Sequence, residues 1–224
     1  MFQTQEKSLI IVYNSDTKQC AEFMTGLIAQ MRENGHPINA ITINAKKFAS
    51  MREENKSAKQ KILYIGNFAE SKVAFSNIHN LQFDKFGIKY GWHGNRAALS
   101  IDGRLSDDEF RKMAAFAEST LKEYEIDMEK QAKKSNKISK TLAAVAGGSL
   151  LTKIVAGAGA ILLGKVAVVV AVAAGISALA AMARNKGELD PGKVKEHQQK
   201  FAVQYFCLVH LNDFMGIKDE KTID

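Results

Sequence analysis

The sequence predicts an α/β fold: a small parallel sheet with flanking helices, to which an Ala/Gly-rich hydrophobic helical hairpin is added. Three observations carry that expectation. Short β-branched apolar runs alternate with helical periodicity over the first half of the chain. Turn and N-cap residues, such as Asn14-Ser15-Asp16, stand between run and helix. Finally, Thr141 to Ala183 holds only two charged residues, Lys153 and Lys165, in a chain that is 25% charged.

Residues 8–13 (Ser-Leu-Ile-Ile-Val-Tyr) read as the first strand. A helix from about Thr17 to Asn34 follows, with Cys20, Phe23, Met24, Leu27, Ile28 and Met31 at helical spacing and Gly35 as C-cap. The second cycle is a strand from Ile38 to Ile43 and an exposed helix from Lys46 to Lys56. The third is a strand from Lys61 to Ile65 and a short helix near Phe68 to Asn77. Such alternation predicts right-handed parallel crossovers. Next, Phe83, Phe86, Tyr90 and Trp92 crowd a glycine-punctuated stretch that reads as a hairpin or irregular segment, and Arg96 to Ile101 reads as a fourth strand. Ser106 with Glu109 forms a capping box opening a long helix, whose Phe110, Met113, Ala117, Leu121 and Tyr124 share one face. The implied organisation is an α/β domain over 1–126, a basic stalk over 127–140, the apolar hairpin over 141–183 and a linker over 184–192. A C-terminal amphipathic helix over 193–224, with Phe201, Tyr205 and Leu208 on its apolar side, packs back on the domain.

The apolar segment is about 43 residues long, which as one helix would reach about 65 Å, roughly twice a bilayer's hydrocarbon core. Two helices reversing near Gly164-Lys165 fit better. Both flanks are basic: Lys130, Lys133, Lys134, Lys137 and Lys140 before it, Arg184, Lys186, Lys193 and Lys195 after it. The positive-inside rule then puts the α/β domain and both termini in the cytoplasm, at the inner (plasma) membrane, with anionic lipids as partners. Lys153 falls mid-segment, where a charge costs about 2.5–3.5 kcal/mol, and Lys165 falls at the reversal. Small residues recur every fourth position at Ala156, Ala160 and Gly164, and again at Ala167, Ala171 and Gly175. That spacing lets helices approach closely and favours a homo-oligomer. The pattern resembles the hydrophobic hairpins of pore-forming bacterial toxins, and the layout resembles bacterial membrane-disrupting immunity effectors. Those resemblances imply a membrane-active effector, in which the α/β domain controls hairpin oligomerisation and permeability. The alternative is a soluble oligomeric scaffold whose apolar helices are buried by neighbouring subunits.

The net charge of +7 comes without a zinc finger, ribonucleoprotein motif or arginine-rich tract, so no nucleic-acid partner is expected. Cys20 and Cys207 fall in apolar-periodic segments, as reduced buried cysteines do, and the polar stretch Met1 to Lys7, leading into one short strand-like run, argues against a signal peptide. The stretch Ile11 to Lys18 resembles the phosphate loop of flavodoxins and gives the domain a flavodoxin-like or Rossmann-like character. The resemblance implies that Asn14, Ser15 and Thr17 bind a nucleotide or flavin. The loop departs from that pattern in lacking glycine and in carrying Asp16, which repels phosphate. The domain also resembles TIR-like domains in size and strand alternation; Gly66 to Lys72 lacks their Trp-Cys-x-x-Glu pattern, so Glu70 inherits no catalytic role. Trp92, His93, Asn95 and Arg96 form a second ligand-binding candidate, since glycines permit close approach, Trp92 offers a stacking face and Arg96 can pair a phosphate. An aromatic-plugged hairpin is the plainer reading of the same residues. Together the two clusters would make the pocket of a membrane-anchored nucleotide- or flavin-binding enzyme. The five histidines show no metal-ligand spacing, and no Gly-x-Ser-x-Gly elbow occurs, so neither a metal nor a catalytic residue is assigned.

Overall fold

A computed structural model describes residues 7–33, 37–51, 60–67, 81–134 and 163–217. The helix expected near Phe68 to Asn77 and the first apolar arm lie outside the described residues. The fold is α/β, with a six-stranded mixed sheet among those residues. β1 (Lys7–Tyr13), β2 (Ile38–Asn44), β3 (Lys61–Gly66) and β6 (Arg96–Ile101) are parallel, and β4 (Leu81–Lys85) and β5 (Ile88–His93) join β6 in an antiparallel meander. The order is β2-β1-β3-β6-β5-β4.

β1 shows why the sheet sits at the centre: Leu9, Ile10, Ile11 and Val12 are all buried, so both faces are covered. Leu9, Ile11, Leu63, Ile65, Ala97 and Leu99 point into the helical layer. Ile10, Val12 and Ile62 point the other way, against Phe48 of α2 (Ala45–Ser50). The antiparallel part is where the sheet departs from the expected parallel one. Phe86 and Gly87 both have positive φ, 57° and 64°, the conformation that closes a two-residue hairpin with the sheet's own twist. A Cβ on Gly87 would overlap the Asp102 carbonyl oxygen, so that turn position requires glycine.

The helical layer comprises α1 (Lys18–Glu33), α3 (Asp107–Lys134), α4 (Leu163–Arg184), α5 (Pro191–Tyr205), a π turn (Phe206–His210) and α6 (Leu211–Met215). Ser106 opens α3 through the capping box: its hydroxyl donates to Glu109 Oε2 at 2.7 Å, and the Glu109 N–H donates back to Ser106 Oγ at 3.3 Å. Asp190 caps α5, accepting from the Gly192 and Lys193 N–H groups at 2.8 and 3.3 Å, with Pro191 at the first helical position. Phe201, Phe206, Leu211 and Phe214 bury this C-terminal run against the sheet. The π turn carries a Leu211 N–H to Phe206 carbonyl bond. At the far end Lys7 Nζ donates to the Met215 carbonyl at 3.0 Å, and Lys61 Nζ lies 5.0 Å from the Phe214 ring centroid. Cys20 and Cys207 are buried in the same layer, and burial pushes the Cys20 thiol up to about 12 and the Cys207 thiol up as well, leaving both protonated and inert.

α4 spans 22 residues, about 33 Å, and its Val172, Ile176 and Leu179 belong to the same core cluster as the sheet. Protein, not lipid, covers that face. Among the described residues, no helix is long and apolar enough to cross a membrane.

Candidate functional site

The order β2-β1-β3 makes the chain reverse direction between β1 and β3, and open α/β sheets bind ligands at the carboxyl ends of such strands. Asn14, Ser15 and Thr17 lie there. Thr17 is buried; its Oγ1 accepts from the Asn14 N–H at 3.1 Å and donates to the Ile65 carbonyl at 2.8 Å. Asn67 Nδ2 donates to Asp16 Oδ2 at 3.3 Å. These bonds tie the loop after β1 to the end of β3, so Thr17 holds the loop's shape. Ser15 is the exposed hydroxyl of the three, and Asn14 is half-buried.

Trp92, His93, Asn95 and Arg96 lie at the other end of the sheet. β6 runs parallel to β3, so its first residue, Arg96, pairs with Ile62 at the amino end of β3. The hairpin turn is held there: Asn95 Nδ2 donates to the Gln60 carbonyl at 3.2 Å, and Lys61 Nζ to the Gly94 carbonyl at 2.8 Å. A strand of this length separates the two clusters by roughly 15 Å or more, so they do not share a pocket. Trp92 is no open stacking platform, because its ring packs on Phe206, His210 and Phe214 at 6.5, 5.5 and 6.2 Å. His93 and Arg96 are exposed.

The third region is the seat of α4. Its inward residues Val169, Val172, Ile176, Leu179 and Ala180 are buried, whereas Ala174, Ser177, Ala178 and Ala181 are exposed. A Cβ on Gly175 would overlap the side-chain amide of Gln204 on α5, so the absent side chain is the slot that Gln204 occupies. Polar contacts fasten the carboxyl end of the helix. The Arg111 guanidinium on α3 donates to the Ala183, Asn185 and Gly187 carbonyls, the last at 3.3 Å, and Arg184 pairs with Glu118. The stretch expected as a linker, 184–192, contacts α3: Leu189 is buried and its N–H donates to Asp107 Oδ2 at 3.2 Å.

Of the hairpin residues singled out by sequence, Lys153, Ala156 and Ala160 lie outside the described residues. Gly164, Lys165, Ala167 and Ala171 fall on the backbone of α4. Gly175 is the one whose small size has a visible use, and its neighbour is Gln204 of the same chain.

Sequence reasoning missed Arg111, Gln204 and His210. Gln204 had a signal, since it interrupts the apolar-periodic run around Phe201 and Tyr205; Arg111 had none, because its partners are backbone carbonyls far along the chain. The His210 ring sits among Tyr90, Trp92 and Tyr205 at centroid distances of 5.0, 5.5 and 5.9 Å. Burial pushes its pKa down to about 4, with Asp213 opposing the shift. Among the described residues, no group of three His, Cys, Asp or Glu could hold a metal ion. No family model, curated protein or solved structure matches the chain.

Proposed function

We propose that this chain is a conditional membrane-active effector. Its flavodoxin-like α/β domain keeps α4, the second arm of the apolar segment, seated on the helical layer. Unseating that arm frees residues 141–183 for the inner (plasma) membrane and for assembly of several copies. The observation that carries the reading is the one-sided seat of α4: a 22-residue apolar helix with large residues inward and an alanine face outward.

On this reading the seated arrangement is the resting one, because Val172, Ile176 and Leu179 are buried in the core, and release requires something that weakens the seat. The carboxyl ends of β1 and β3, with Asn14 and Ser15, are the proposed site for a triggering ligand, a nucleotide or flavin being the class that the loop's resemblance suggests. The Gly175 slot and the Arg111 clamp are the contacts that such a trigger must undo.

The test is flotation and dye release with the full chain and vesicles of anionic or zwitterionic lipid. Arg111→Ala and Gly175→Leu should raise binding to anionic vesicles and leakage above wild type, and Lys153→Leu should alter leakage in those backgrounds. A chain that never floats or leaks, and that sediments from detergent-free buffer as a discrete assembly, would reject the proposal. That result would favour the soluble oligomeric scaffold, a reading that the buried inward face of α4 supports.

A further inference from the structure

The two edges of the sheet are built differently. β4 is five residues long, carries Asp84 and Lys85, and has a register shift between Leu81 and Phe83. Shortness, charge and a bulge are the devices that stop an edge strand from recruiting another chain. β2 has none of them. Its seven residues, Ile-Asn-Ala-Ile-Thr-Ile-Asn, carry no charge and no proline, and Ile41 is 52% exposed. Among the described residues, β2 pairs only with β1.

The backbone parity of β2 follows from the Lys7 N–H to Pro37 carbonyl bond at 2.8 Å and the parallel register Lys7 to Ile38. In a parallel ladder this turns the peptide groups of Asn39, Ile41 and Ile43 toward β1. Those of Ile38, Ala40, Thr42 and Asn44 point away from β1, to an edge that no other described strand pairs with.

We propose that β2 is a homodimer edge, on which a second copy of this chain adds its own β2 antiparallel about a two-fold axis through Ile41. The register then pairs Ala40 with Thr42 and Ile38 with Asn44, all with outward peptide groups. Ile41 faces Ile41 in a pair without hydrogen bonds, the position where side chains come closest. A second copy is the fitting occupant because the strand is complementary to itself at each of these positions and has no charge to repel its twin. The flanks agree. Glu33 precedes β2 and Lys46 and Lys47 follow it, all exposed, and antiparallel pairing sets the acidic flank of one copy beside the basic flank of the other, while Arg32 already has a partner in its own chain. The pairing does not depend on the membrane reading.

Sedimentation velocity of the full chain at micromolar concentration should show a dimer. Ile41→Lys puts two ammonium groups on the axis, and Thr42→Pro removes an outward N–H without touching the β1 ladder. Each should raise the dissociation constant at least about tenfold, with far-UV circular dichroism unchanged. Ile41→Cys should cross-link to itself under mild oxidation, since the native cysteines are buried, whereas Ile126→Cys, an exposed site on α3, should not. A wild type that sediments as monomer, an oligomer that survives both substitutions, or an Ile41→Cys chain that stays uncross-linked while still oligomeric would each overturn the assignment. The cross-linking result stands even if a strand substitution disturbs folding.

Discussion

α4 and α5 lie side by side on one face of the sheet and divide the work in opposite ways. α4 is apolar nearly all round, so hydropathy carries little instruction about which side faces in, and residue size alone separates its inward valines, isoleucine and leucine from its outward alanines. Its seat is set by neighbours: the Gln204 amide over Gly175, and the Arg111 clamp at its end. α5 carries its own instruction, with Val194, Phe201 and Ala202 buried at helical spacing and Asp190-Pro191 fixing where it begins. Yet of these two helices it is α5 that carries buried polar side chains among the described residues, Gln198 and Gln204. Gln198 Nε2 reaches the Phe86 carbonyl at 2.7 Å, closing the β4–β5 hairpin from above. Hydropathy thus ranks the two helices in one order and specificity of packing ranks them in the other.

The contrast can be tested at both helices, beginning with the largest expected change. Phe206→Ala removes a fully buried ring that meets Tyr90, Trp92 and Phe214, and should lower unfolding free energy by about 3–5 kcal/mol in urea titration. Gly175→Leu should cost about 1–3 kcal/mol through overpacking, and Gln204→Ala in the same chain should restore much of it. If the two losses simply add, the slot is not what seats α4. Asp190→Ala should cost about 1 kcal/mol, the usual value of an N-cap, and leave α4 unaffected.

A further test concerns pH. His210 is held neutral by burial, with a folded-state pKa of about 4 against an ordinary value near 6.5. Between those values the unfolded chain binds a proton that the folded chain refuses, so stability falls as pH drops from about 6.5 toward 4. His197 is shifted down as well and adds to the same slope. His210→Phe should therefore shallow the acid side of a melting-temperature profile without flattening it. An unchanged profile would mean that His210 is not held neutral.

Much of the first half of the fold was legible because its signals are local. Strands β1, β2, β3 and β6, the turn before α1 and the Ser106–Glu109 box follow from short apolar runs and capping chemistry. The β4–β5 pair was harder, because Phe86 adopts a left-handed conformation that its side chain gives no reason to expect. The arrangement of the candidate sites was not legible. Nothing near Arg96 says that β6 will lie parallel to β3, and that single pairing sends Trp92 to Arg96 to the opposite end of the sheet from Asn14. For α4 the composition gave an apolar helical run, but apolar character alone does not distinguish a wall of valines against lipid from one against leucines and phenylalanines.

The π turn at Phe206–His210 has an effect on everything after it. It lodges one residue more than a regular α-helical turn would, which advances the angular phase of the following residues by about 100°. Leu211 and Phe214 meet the core, and Lys7 finds the Met215 carbonyl, only in that shifted phase. Forcing regular α-helical bonding on the full-length run would swing its last turn off the sheet, whereas excising a single residue between Cys207 and Val209 would remove the π turn and leave Leu211 and Phe214 facing the core, so the chain's final contacts are set by a count of residues as much as by their kind.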